Sequence, residues 1–297
     1  MNHEAREPMA TNTQLPHLIR LLDDDSDIVR EQILHQLLSF GPTLEQELRQ
    51  QGITLSTAQR QIIAGLFEQG DRAWIDERWA SWFDVRDDKL KLEMALGLIA
   101  QYLHGMRRTV RLDLALDALA AEYRALHVDD DPALLAKFLF TTKGIRGAEE
   151  SDYFNPMHTS LLHAIEERRG IPITLCSLFI LVGHRLGLDV EGCNFPGHFL
   201  ALTRSRGRRN VVDCYTGGLF LSERDFATLS PAGAVDFESI HRMECDAATI
   251  VGRCLRNLIN AYRHRNDDAR VEFMGELLAR CERSESDASA EEDGEEG

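Results

Sequence analysis

The stretch IPITLCSLFILVGHRLG, residues 171–187, constrains the fold more than any other part of this chain. Pro172 suits the first helical position, whose amide is unpaired anyway, and Gly187 suits the left-handed residue that ends a helix. Between them apolar side chains fall on nearly every face, so this helix must be wrapped by other elements rather than laid on a surface. With Pro172, Thr174 and Ser177 interrupting it, the run is shorter than the roughly 20 apolar residues that cross a bilayer. It predicts a central, buried helix. Val190–Phe195, His198–Arg204 and Val211–Tyr215 follow as short strand candidates, the last two separated by the polar stretch 205–210. These predict a small antiparallel sheet over the helix.

The flanks read as helical. Leu18, Leu21 and Leu22, then Val29, Ile33, Leu37 and Leu38, mark two helices separated by the acidic run 23–27 and stopped by Gly41-Pro42. Leu92, Leu96, Ile99 and Leu103, then Leu112, Leu116, Leu119 and Tyr123, continue the helical spacing. Trp74, Trp79 and Trp82 are expected to be packing anchors. From Ala247, Ile250, Val251, Cys254, Leu255 and Leu258 begin a last hairpin that breaks at 266–268. The expected layout is a disordered N-terminus (1–13), a helical hairpin (14–55), a core (56–245), a second hairpin (246–283) and a solvated acidic tail (284–297). The fold class is α+β and mostly helical.

Composition excludes several functions. The formal charge of −16 argues against general affinity for nucleic-acid backbone, which requires a basic surface. No apolar segment reads as a secretory signal or a membrane span, so a cytoplasmic location is expected. The six cysteines form no CxxC pair, and reduced thiols are expected. No Walker loop, dinucleotide fingerprint or zinc-ligand spacing is present, and His158 and His163 lack a partnering cysteine. Neither a cofactor nor a metal is expected.

One constellation carries chemistry. If His198 and Asp213 lie directly opposite in an antiparallel pair, the turn between them centres near Ser205 and Arg206, inside the polar stretch. Opposed residues have Cβ atoms about 4.5–5.5 Å apart, close enough for an aspartate to orient an imidazole. A cross-strand pair is equally a way to satisfy two polar groups. Arg168 and Arg169, with Arg204 and Arg206, are candidates for an anion or peptide cleft.

The segments FLFTTKGIRGAEESDYFNPMHTSLLHAIEERRGIPITL, RLGLDVEGCNFPGHFLAL and VVDCYTGG resemble the bacterial SirB-type branch of the transglutaminase-like superfamily. The resemblance extends from about Leu90 to Gly218. It implies a transglutaminase-like (papain-like) core, HEAT-like helices before it and tetratricopeptide-like helices after it. In active members a cysteine opens the central helix, with the histidine and aspartate on following strands; His198 and Asp213 match the last two. The cysteine position falls at Pro172, which has no nucleophile. Cys176 lies one helical turn further on and Thr174 nearer the helix start. Two readings follow. The first is a non-catalytic protein-interaction or regulatory protein with a protein or peptide partner. The second is an acyl-transfer enzyme with Cys176 or Thr174 as nucleophile, His198 as base and Asp213 orienting it.

Overall fold

The computed structural model describes residues 14–22, 26, 29, 32–33, 36–37, 40, 43–105, 109–205, 207–229, 237 and 239–295. The N-terminal residues 1–13, the aspartates of the run 23–27, Leu38, Gly41-Pro42 and Arg206 lie outside them.

Among the described residues, helices run over Leu15–Leu21 (α1), Leu44–Gln50 (α2), Thr57–Trp82 (α3), Asp88–His104 (α4), Leu112–Leu126 (α5) and Pro132–Lys137 (α6). Leu161–Glu166 (α7), Pro172–Arg185 (α8), Glu223–Leu229 (α9), Ala247–His264 (α10) and Asp268–Glu295 (α11) follow, and Val29, Ile33 and Leu37 are also helical. The chain packs as two units, divided at Arg78 inside α3, with His104–Thr109 belonging to the first.

In the first unit, Leu15, Leu18, Leu22, Leu37, Leu44 and Ile63 share one apolar cluster. The sequence STAQ starts α3 by reciprocal capping: Gln59 N donates to Ser56 Oγ at 3.1 Å, and Ser56 N to Gln59 Oε1 at 3.0 Å. The same glutamine donates to the Ile19 carbonyl at 3.2 Å, tying α3 to α1.

The second unit is organised by α8. Every residue from Pro172 to Gly183 is buried, and each large apolar side chain among them contributes about 1.5–3 kcal/mol of burial. At the C-terminal end the Leu188 amide reaches back to the Gly183 carbonyl at 2.9 Å, with Gly187 at φ +73°. That left-handed residue is cheap only for glycine. Arg185 binds Glu93 of α4 through two bonds of 2.8 Å and Asp117 of α5 at 2.6 Å, fastening the last turn of α8 to both neighbours. Trp79 and Trp82 are fully buried, their rings 5.5 Å apart, and the Trp82 indole donates to the Lys91 carbonyl. They are packing anchors, as their spacing predicts.

Over α8 lies a five-stranded antiparallel sheet. Its strands are Asp189–Cys193 (β3), Leu200–Ser205 (β4), Arg208–Asp213 (β5), Leu219–Leu221 (β6) and Glu244–Cys245 (β7), in the order β6-β5-β4-β3-β7. Arg146–Gly147 (β1) and Arg169–Gly170 (β2) form a separate parallel pair. The fold is α+β and mostly helical, as expected. The central three strands were legible in the sequence; β6 and β7 are edge segments too short to show alternation.

The C-terminal hairpin starts where Asp246 caps α10 by accepting from the Thr249 amide at 2.9 Å. It turns at Asn266, φ +56°. The α11 backbone continues to Glu295 without a break at 283; residues 284–293 contain neither glycine nor proline, the two residues that most strongly stop a helix. No helix among the described residues is long and apolar enough to cross a membrane.

Candidate functional site

The hairpin β4–β5 fixes Asp213. Its register is Ser205↔Arg208 through Ala201↔Val212, so the connection is the two residues 206 and 207 and its centre lies one residue later than the sequence spacing predicts. Two-residue connections are the commonest hairpin closure because their twist matches that of the strands. The expectation of a directly opposed His198–Asp213 pair is therefore corrected. Continued by one step, the register sets Asp213 opposite residue 200, and His198 lies in the bend before β4 rather than on a strand.

The two side chains meet nonetheless. His198 Nε2 stands 3.0 Å from Asp213 Oδ1, an ion-pair distance whose angle is poor for a hydrogen bond. The carboxylate is firmly held. Oδ1 accepts from the amides of Tyr215 at 2.9 Å and Thr216 at 3.1 Å, and Oδ2 from the Thr216 hydroxyl at 2.7 Å. Burial alone would raise its pKa; contact with His198 and the donors of Thr216 outweigh this and hold it below the usual aspartate value.

Beneath them is the start of α8. Pro172 occupies its first position. The Thr174 hydroxyl donates to the His158 carbonyl at 2.9 Å, and the Ile171 amide to the same oxygen at 3.3 Å. Cys176 Sγ donates to the Phe199 carbonyl at 3.4 Å, next in the chain to His198. The side chains are nevertheless sealed in: Cys176 is 0% and Thr174 1% exposed. A buried helix with no thiol at its first position is thus covered by a sheet whose Asp213 stands beside His198.

Residues 111–256 match the model of the transglutaminase-like superfamily.

The transglutaminase-like segment thus takes in α5 to most of α10, with the His198–Asp213 pair inside it. The chain is similar to a UPF0162 protein of Vibrio cholerae, 28% identical over 156 residues, which are 50% of this chain and 57% of that protein. A UPF0162 protein of Xylella fastidiosa is 31% identical over 140 residues, 45% of this chain and 50% of the relative. F-box only protein 21 of Mus musculus is 39% identical over 49 residues, 16% of this chain and 8% of the relative. The chain spans about half the length of the UPF0162 proteins it matches. No solved structure matches.

Other thiols of the transglutaminase-like segment are far from activation. Burial pushes Cys193, Cys245 and Cys254 each up to about 12. Burial and the neighbouring Cys176 raise Cys214 well above its ordinary value. Among the described residues, no group of three or more His, Cys, Asp or Glu side chains could hold a metal.

Arg206 lies outside the described residues, and the other arginines named from the sequence pair with carboxylates or stand exposed. Arg204 lies on β4, beyond the bend that carries His198. It pairs with Glu244 at 3.0 Å and Asp189 at 3.7 Å. Arg169 approaches Glu149 at 3.6 Å, and Arg168 is an exposed residue at φ +59°.

Sequence reasoning passed over two residues around the pair. The Tyr215 ring meets the His198 ring edge-on with centroids 6.1 Å apart, and its hydroxyl donates to the Ala148 carbonyl at 2.8 Å. Burial, with the charges of Tyr153 and Asp213, raises the pKa of Tyr215. Arg253 of α10 donates through one nitrogen, Nη1, to Asn194 Oδ1 at 2.7 Å and to the Phe195 carbonyl at 2.9 Å. Its guanidinium lies 5.2 Å from the Phe199 ring centroid. It thereby holds the 194–199 connection that carries His198. Nothing in the local pattern marks these residues, which lie on two separate segments. The one signal was the tyrosine in VVDCYTGG, two positions after Asp213.

Proposed function

We propose that this domain is a non-catalytic, SirB-type transglutaminase-like module that binds a protein or peptide, with the His198–Asp213 pair forming part of the binding surface. The observation that carries this reading is the state of the two candidate nucleophiles. Cys176 and Thr174 are both buried and both donate to backbone carbonyls. Nucleophilic catalysis needs a partly exposed group activated by a base or a lowered pKa. The helix position that supplies the thiol in active members of the resembled family is here Pro172. HEAT-like helices before the core and tetratricopeptide-like helices after it, in a cytoplasmic protein, would extend the surface offered to a partner.

The acyl-transfer reading keeps one observation in its favour: the Cys176 thiol sits on the carbonyl of the residue next to His198.

Thiol labelling of the folded protein with a small electrophile, mapped by mass spectrometry across pH, separates the two. Slow labelling of Cys176 that His198→Ala leaves unchanged is expected. Fast labelling at low pH that His198→Ala abolishes would sink the non-catalytic reading.

A further inference from the structure

In the order β6-β5-β4-β3-β7 the two edge strands differ in kind. β6 is Leu219, Phe220 and Leu221, with no charge, whereas β7 is Glu244 and Cys245, followed at once by Asp246. Among the described residues no strand pairs with the outer edge of β7. Antiparallel neighbours alternate between hydrogen-bonded and non-bonded pairs. The Asn194 amide donates to the Met243 carbonyl at 2.9 Å, and the next residue, Glu244, stands opposite Cys193 in the register. Glu244 therefore forms a non-bonded pair with β3, and its N–H and C=O point to the outer edge. Neither has a hydrogen-bond partner among the described residues.

Two cavities open along this edge, and Glu244, Cys245 and Asp246 line both. One, of about 490 Å³, adds Asp87, Asp88, Lys89 and Glu191; the other, of about 500 Å³, adds Asn194 and Thr249. Lys89 is the one cation among the described lining residues, and it is already met by Glu191 and, at 3.9 Å, by Asp88. Arg204 reaches Glu244 from β4 at 3.0 Å. Asp87, Asp88 and Asp246 accept from the amides of Leu90, Ala247 and Thr249, bonds that fix each carboxylate in place at the edge while leaving its charge. An unpaired backbone donor and acceptor thus stand between cavities of net negative charge.

We propose that β7 is the docking edge for an extended basic peptide, which adds to the five-stranded sheet as a further strand. Its backbone takes the N–H and C=O of Glu244, and its lysine or arginine side chains reach the carboxylates of the flanking cavities. In strand addition the main-chain bonds supply affinity and the pockets beside them supply selectivity. The same carboxylates decide against a second copy of this chain as the occupant. Antiparallel pairing of β7 with its own image would set Glu244 and Asp246 against like charges, which destabilise a strand pair and are a common device against edge-to-edge association. What repels a copy attracts a basic strand. The edge is separate from the His198–Asp213 pair at β4 and β5, so the proposal goes beyond the binding surface named above and does not depend on it.

The test is titration of the intact chain, observed through its backbone amide NMR signals, with three acetylated and amidated pentapeptides. They are Lys-Thr-Lys-Thr-Lys, Glu-Thr-Glu-Thr-Glu, and the lysine peptide N-methylated at every backbone amide, which keeps the charge and removes the strand-forming donors. The lysine peptide should shift the signals of Glu244 and Cys245, and the other two should not. Glu244→Gln combined with Asp246→Asn, an exchange that keeps a good cap on α10, should weaken the lysine peptide by about threefold or more, the scale of two exposed ion pairs, with the melting temperature unchanged. Equal binding of the N-methylated peptide would reduce the effect to charge alone and overturn strand addition. Equal binding of the glutamate peptide, no shift with the lysine peptide, or wild-type affinity in the double variant would overturn the proposal as well. So would concentration-dependent shifts of the same signals without peptide, which would give the edge to a second copy.

Discussion

His198 Nε2 lies 3.0 Å from Asp213 Oδ1, and the two partners differ in burial: the histidine side chain is 21% exposed and the aspartate 3%. The carboxylate is the fixed member, gripped by Tyr215 and Thr216. The imidazole is the member that faces outward. Such a pair leaves one polar ring partly open to solvent while burying the carboxylate beside it.

Asp213→Asn should destabilise the fold by about 1–3 kcal/mol at neutral pH, because a charged acceptor of three donors is replaced by a neutral one. The pH dependence has a definite sign. A carboxyl whose folded pKa is depressed contributes stability above its unfolded value of about 3.9 and loses it as pH falls through the folded value. The gap between wild type and Asp213→Asn should therefore narrow in acid. Urea denaturation at pH 7 and pH 3 measures it; an equal or wider gap at pH 3 would count against a depressed Asp213.

Gly147→Ala should be among the more damaging small substitutions. A Cβ at this position would come within 2.5–2.8 Å of the Tyr215 ring, and overpacking of this kind costs about 1–3 kcal/mol. The displaced ring would lose its bond to Ala148 and its edge contact with His198. Thermal denaturation reads the first effect, and the His198 imidazole chemical shift reads the second.

Arg185→Ala should cost about 1–3 kcal/mol, since it leaves the mostly buried Glu93 without a partner at the end of α8. Arg185→Lys should recover only part of that loss, because one ammonium cannot bridge Glu93 and Asp117 together. Chemical denaturation of the three proteins provides the comparison, and full recovery by lysine would refute the fork argument.

Thr174→Val should lower stability by about 1 kcal/mol, the worth of one buried hydroxyl bond to the His158 carbonyl. Peptide binding should be unchanged. A selective loss of binding or of any acyl-transfer activity, at unchanged melting temperature, would give the hydroxyl a chemical role.

The sequence by itself determined the elements whose signals are local. Pro172 and Gly187 bound the central helix because an N-terminal proline and a left-handed glycine are local backbone requirements. The periodic leucines of α4 and α5, the central strands of the sheet and the Asp246-capped hairpin were legible for the same reason. Spacing singled out His198 and Asp213, and the resemblance to the transglutaminase-like core matched them to its histidine and aspartate. Tertiary structure decided the rest. The register of β4 on β5 depends on which hairpin closure the two strands accept, and it moved the turn by one residue and His198 off the strand. Burial of Cys176 depends on how the 194–199 connection crosses α8, and that course is fixed by Arg253 reaching from α10 to Asn194 and Phe195. Periodicity specifies which face of an element is apolar. It carries no information on which distant side chain will hold a loop, because that contact exists only after the helices and the sheet have packed.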